Sequence, residues 1–347
     1  MSIMPEEGKR NIYIKSSDYL IKNSDEYIKN GGLISVGGKI AEIGETSDLE
    51  EKKEDYDIER VIDASDKIVS PGFIQIHVHL LQTLFRGTAD DLELLEWLNE
   101  KILPMEANIS RNGIYYSSKL SLLELLRSGV TSILDFGSVK HQEKIFEAMV
   151  ESGIRGGSGK IIIDREGETP DSLVESTQRS INESLELMKE WDGADNRISY
   201  FFTPRFVPTC TEESLKKSAE LSRKHEVGLH SHASENRGEV ELVRDLTGKE
   251  NVEYLHDIGF LGDNTVLAHC IWINEEEKDM LSDTGTTVAH CPSANLKLAS
   301  GIAETPEMLD KGVNVSIGSD GAPCNNNLDI FEDMRRASLI QKGRLLN

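Results

Sequence analysis

The chain has 347 residues, 38% hydrophobic and 29% charged, with a formal net charge of -23, a balance that fits a globular protein of one large barrel or two ordinary domains. So acidic a chain excludes a nucleic-acid footprint, which needs a basic face, and it repels anionic membrane surfaces. Four scattered cysteines, Cys210, Cys270, Cys291 and Cys324, form no C-x-x-C pair, the pattern of a reduced chain rather than a disulfide framework.

Met1 to Arg10 contains no apolar signal region, and no apolar run is long enough to span a bilayer, so a cytoplasmic location is expected. Leu33-Ile-Ser-Val36, Gly37-Gly38 and Lys39-Ile-Ala-Glu-Ile43 predict a β-hairpin with a Gly-Gly turn. Short strands and a charged stretch, Asp48 to Asp57, continue the pattern. Residues 1–67 therefore read as a small β module.

From residue 68 the pattern alternates between strand and helix. The strands are Ile68–Ile76 (interrupted by Pro71-Gly72), Val130–Leu134, Lys160–Ile163 and Ile198–Phe202, then Val227–Ser231, Thr265–Ala268, Thr286–Ala289 and Val313–Ile317. Helical segments such as Asn112–Ser128 and Ser172–Lys189 separate them. Eight such units predict an α/β fold, a closed (β/α)8 TIM-type barrel over residues 68–347.

The ionisable residues fall where such a barrel does chemistry, at the C-terminal ends of its strands. His77 and His79 close the first strand, two residues apart and on one face. His232 and Glu235 follow the fifth strand, His269 the sixth, His290 the seventh and Asp320 the eighth. Each alone reads as a hydrogen-bonded core residue or a turn former. Four successive strands delivering such groups to one rim, opposite a His pair, point to a metal site. Three imidazoles and a carboxylate suit one divalent ion such as zinc and leave a position for water. The fourth strand, through Thr203-Pro-Arg205, has no lysine to bridge a second ion. Glu235, three residues past His232, is placed to carry protons rather than merely to cap a helix.

Pro71-Gly-Phe-x-x-x-His77-x-His79, His232-x-x-Glu235, His269, His290-Cys-Pro-x-x-Asn295 and Ser319-Asp320-Gly321 resemble the amidohydrolase superfamily, in its mononuclear deaminase and chlorohydrolase branch. Leu84 to Leu92 with Glu96-Trp-Leu98, and Gly318 to Asn326 with Leu328 to Arg335, are similar to methylthioadenosine and S-adenosylhomocysteine deaminases. The resemblance implies a metal held by His77, His79, His232 and Asp320: one zinc, with iron or manganese as alternatives. It implies Glu235 as proton shuttle, His269 as the residue orienting the attacking water, and Asp320 as a second proton acceptor. Gln82 and Cys324 match positions that face substrate in the triazine enzymes, Glu96 occupies the place where a nucleoside deaminase holds ribose, and Arg205, His290 and Asn295 are further substrate-binding candidates. The implied activity is hydrolytic release of ammonia from a 5′-modified adenosine. The alternatives are a guanine, pterin or s-triazine hydrolase of the same branch, or an inactive truncated metal-binding fragment. A small-molecule substrate, no nucleic acid, no membrane and a homodimer are the partners expected.

One departure stands out. The family's small β domain is usually completed after the barrel, whereas this chain stops at Asn347, so part of the β-sandwich is expected to be missing.

Overall fold

The computed structural model describes residues 10–346, which form two compact units, one ending at Gly72 and the other beginning at Phe73. The first unit is a single sheet of β1 (Ile12–Ile21), β2 (Tyr27–Val36), β3 (Lys39–Glu45), β4 (Arg60–Asp63) and β5 (Ile68–Val69), ordered β3-β2-β1-β4 with β5 also on β1. The expected hairpin joins β2 to β3, antiparallel, with Val36 opposite Lys39. Gly37 and Gly38 have φ of +56° and +80°, and two successive positive φ values match the right-handed twist of the flanking strands. Tyr13, Ile34 and Leu49 form its small core.

The run from Ile68 to Ile76 proves to be two strands in different units. Ile68 and Val69 pair with Tyr19 and Leu20 of β1, and the barrel begins only at Phe73. Pro71, with no N–H to donate, cannot continue a ladder, so a continuous apolar reading misses the break.

The second unit is a barrel of parallel strands: β6 (Phe73–Val78), β7 (Val130–Asp135), β8 (Arg155–Ser158), β9 (Ile161–Ile162), β10 (Ile198–Pro204), β11 (Gly228–Ala233), β12 (Thr265–His269), β13 (Thr287–His290) and β14 (Asn314–Ile317). Neighbours run β6-β7-β8-β10-β11-β12-β13-β14, with β9 prolonging the β8 stave along β10. Closure comes beyond β14, where the Asp320 N–H donates to the His77 carbonyl at 3.0 Å and Val78 bridges Asp320. Gly318 permits it: a Cβ there would sit 2.7 Å from both His77 Cβ and its carbonyl oxygen.

The third stave starts earlier than Lys160. Its first half is Arg155-Gly-Gly-Ser158, which carries no apolar pattern because its neighbours fill the space. A Cβ on Gly157 would lie 2.3 Å from the Phe201 ring, and one on Gly156 would lie 2.0 Å from the Ile133 carbonyl oxygen. The helix Arg111–Arg127 is capped by Ser110 and Thr177–Trp191 by Ser176. The second begins later than predicted because Asp171–Leu173 forms a separate 3-10 turn. Among the described residues no helix is long and apolar enough to cross a membrane.

Candidate active site

Strand ends from both sides of the closure converge on one buried point. His77 and His79 come from the end of β6, His232 from β11, His269 from β12 and Asp320 from the loop after β14. His77 Nε2 and His79 Nε2 lie 3.4 and 3.3 Å from Asp320 Oδ1, and the His232 and His79 Nε2 atoms are 3.4 Å apart. Candidate ligand atoms of His77, His79 and Asp320, and of His77, His232 and His269, fall within 4.8 Å of one another.

The backbone bends to make this arrangement. His269, Asp320 and Ser234 have φ of +75°, +62° and +54°, a region costly for residues other than glycine and concentrated at functional sites.

A second ring of contacts decides which nitrogens face the centre. His232 Nδ1 lies 2.9 Å from the Arg205 carbonyl, which can only accept, so that nitrogen carries the proton. A neutral imidazole has one donor nitrogen and one acceptor, and Nε2 is left with its lone pair turned inward. His269 is held likewise, Nδ1 lying 2.9 Å from Asn295 Oδ1, while His77 Nδ1 lies 3.0 Å from His230 Nε2. Nε2 of His77 and of His269 has no hydrogen-bond partner among the described residues. Buried, unpartnered nitrogens converging on a carboxylate fit a divalent metal ion, with outer contacts of the kind that orient metal-bound imidazoles.

Electrostatics agree with that donor set. Burial, reinforced by neighbouring imidazoles and the Arg205 charge, pushes the His79 and His232 pKa well below the usual value, so both stay neutral as a ligand must. Burial alone would raise Asp320, but the imidazoles of His77, His79 and His269 around it hold it well below the carboxylate range. Glu235 is the opposite case. Burial, then the charges of Asp320 and Glu239, push its carboxyl well above the usual range, while the Ser300 hydroxyl donates to Oε1 at 3.4 Å. Its Oε2 lies 3.4 Å from His269 Nε2.

The cavity above the centre measures about 30 Å³ and is walled by His79, Gln82, Leu94, Trp97, Leu98, Arg205, Phe206, His232, Glu235, His269 and Asp320. It holds roughly one water molecule. Of the six residues expected to face substrate, Gln82 and Arg205 line it and four do not. Glu96 is exposed; Leu94 and Trp97 of the helix Leu94–Trp97 take the inner face, and Leu95 and Glu96 between them turn outward, beside Asn99 and Glu168. Asn295 stands behind His269. Cys324 is buried against the Gly321 carbonyl, and burial raises its thiol well above the usual pKa. His290 is buried with neither ring nitrogen partnered among the described residues, and burial lowers its pKa to about 4.

Sequence reasoning passed over His230, Ser300 and Glu106. His230 and His232 repeat the spacing of His77 and His79, so the same alternation argument finds it. Ser300 and Glu106 lie in segments with no distinguishing pattern.

Comparison with known proteins agrees with this architecture. The profile of the amidohydrolase family matches residues 68–347. The chain is 40% identical over 317 residues to a 5′-deoxyadenosine deaminase of Methanothermobacter thermautotrophicus, covering 91% of this chain and 72% of that protein. It is 40% identical over 289 residues to a 5-methylthioadenosine/S-adenosylhomocysteine deaminase of Moorella thermoacetica, covering 83% of this chain and 65% of that protein. Among solved structures, an adenosine deaminase from Xanthomonas campestris with bound zinc superposes with a TM-score of 0.85 at 27% identity, over 97% of this chain and 75% of that one.

Proposed function

This chain belongs to the amidohydrolase family, and from that premise we propose that it is a zinc-dependent deaminase of aminated purine nucleosides, 5′-modified adenosines first among them. The observation that carries the reading is the inward-facing donor set with Glu235 beside it in the cavity wall. Relatives at 40% identity named as 5′-modified adenosine deaminases support the substrate class.

In this reading the barrel unit from Phe73 onward is the catalytic domain, and His77, His79, His232 and Asp320 hold one ion, zinc suiting the imidazole-rich set. Such an ion supplies Lewis acidity that brings the pKa of a coordinated water down to about 7. The rest of the chemistry belongs to the chain. His269, fixed by Asn295, orients the attacking water, and Asp320 accepts its proton. Glu235, held by Ser300, protonates the ring nitrogen next to the aminated carbon. Glu235 then takes the proton left on the added oxygen and delivers it to the amine, which departs as ammonia while the ring carbon keeps the oxygen as a carbonyl; the proton held by Asp320 returns Glu235 to its acid form. A purine ring exceeds the present cavity, so its entry displaces the wall of Leu94, Trp97 and Leu98.

A cytoplasmic location is proposed as well, and the four free, buried cysteines support it. A homodimer is proposed on the exposed apolar stripe Tyr116, Leu120 and Leu123 of the helix Arg111–Arg127.

The test is ammonia release by zinc-loaded protein from 5′-deoxyadenosine, methylthioadenosine, S-adenosylhomocysteine, adenosine and guanine, with Glu235→Gln as control. Release from the 5′-modified adenosines, abolished in the control, is expected. A folded, metal-loaded protein silent on all five overturns the reading.

A further inference from the structure

Two polar walls of the cavity, Gln82 and Arg205, share one buried partner. Glu106, only 6% exposed and outside the cavity lining, accepts from Gln82 Nε2 through Oε1 at 2.8 Å and from Arg205 Nη1 through Oε2 at 3.3 Å. Among the described residues it is the only side chain bonded to that guanidinium. A carboxylate paired with a guanidinium can only accept, so it draws the NH₂ end of the Gln82 amide and turns Oε1 the other way. That oxygen is buried without a partner and lies over Gly321, where an added Cβ would meet it at 2.1 Å. Gln82 lines the cavity, so this acceptor without a donor is available to a donor on whatever enters.

We propose that Glu106 is a positioning residue: by holding the Gln82 amide and the Arg205 guanidinium in one orientation, it sets the hydrogen-bonding edge that the pocket reads. The class selected is an uncharged planar ring with a donor toward Gln82 Oε1 and an acceptor toward the free N–H groups of Arg205. Because Glu106 already balances the guanidinium charge, this wall has no call for an anion. Arg205 also accepts from His232 through its backbone, so Glu106 steadies a residue that touches both the metal-facing ring and the cavity.

The inference rests on the proposed function only for its assay substrate. Zinc-loaded Glu106→Gln is compared with wild type by crystallography, bound-zinc analysis and steady-state kinetics. The expected result is unchanged zinc content, a reoriented or multiply placed Gln82 amide and Arg205 guanidinium, and KM raised about tenfold or more with a smaller change in kcat. Combined with Gln82→Ala, the effects on kcat/KM should be less than additive, because both remove the same contact. Unmoved side chains with strictly additive effects overturn the proposal, since a purely structural role predicts both. Should Glu106→Gln fail to fold, Glu106→Asp, which keeps the charge but is too short to reach both partners, is read in the same way. If wild type deaminates none of the five substrates, the functional reading falls, and the crystallographic comparison still decides the role of Glu106.

Discussion

The two ends of the barrel make instructive opposites. At the N-terminal end of the strands a cavity of about 1140 Å³ is lined by Ile74, Ile76, Phe201, Val266 and the glycines Gly156, Gly157 and Gly228. At the C-terminal end the cavity is about 30 Å³, and Leu94, Leu98 and the Arg205 guanidinium aside, its walls are imidazoles, carboxylates, an amide and aromatic rings. Size alone points to the wrong end. What separates them is that the C-terminal end gathers buried polar atoms with no hydrogen-bond partner among the described residues, Gln82 Oε1 and His269 Nε2 among them, and the lining of the N-terminal opening carries none. Unmet hydrogen-bonding capacity costs free energy in a buried place, so its concentration at one end marks where a ligand belongs.

That contrast can be broken or sharpened by experiment. The largest effect is expected from Glu235→Gln, which keeps the size of the wall but removes the proton carrier: kcat should fall roughly 10²- to 10⁴-fold with bound zinc unchanged. Turnover near the wild-type level would remove Glu235 from the chemistry. Next, stripping the metal with a chelator should abolish activity and lower the melting temperature, and added zinc should restore both, because a ligand bound only by the native state stabilises it. Calorimetry before and after chelation checks this; an unchanged melting temperature would argue against a bound ion.

At the opposite end the expected loss is of stability alone. An added Cβ at Gly228 would come within 2.0 Å of the Phe201 ring, so Gly228→Ala should cost about 1–3 kcal/mol by overpacking, measured by urea unfolding, while KM and zinc content hold. A selective loss of zinc would show that the two ends are coupled.

A further test, of pH dependence, concerns Asp135, at the end of β7. Burial pushes its carboxyl up to about 7, against the hydrogen bonds from Ser158 and the Leu80 and Gly137 backbone. A folded-state pKa above the unfolded value of about 3.9 means the native chain binds the extra proton between them. Stability should therefore fall as pH rises from about 4 to about 7 and level off above. Asp135→Asn, neutral throughout, should flatten that part of the stability profile relative to wild type. Parallel profiles would place the Asp135 pKa in the ordinary range.

Legibility in the sequence followed the range of each interaction. His77, His79, His232, His269 and Asp320 were readable because a strand delivers its end residues to one rim by local geometry. Glu96 stands exposed while Leu94 and Trp97 of the same four-residue helix face the cavity, because motif position does not reveal helix phase. The break at Pro71-Gly72 and the glycine stave Arg155–Ser158 were hidden for a related reason. One lies inside an apolar run, and the other owes its lack of apolar side chains to the Phe201 ring and Ile133 backbone beside it.

By itself, then, the sequence determined the barrel, the order of its staves and the set of groups on its C-terminal rim, since period-two strands and strand-end placement depend on near neighbours in the chain. The tertiary structure alone decided which nitrogen each imidazole turns inward and what stands behind the substrate wall. His77 meets His230 across 153 residues and Arg205 meets Glu106 across 99. Contacts over such separations exist only once the barrel has closed, and they leave no periodic trace in the chain.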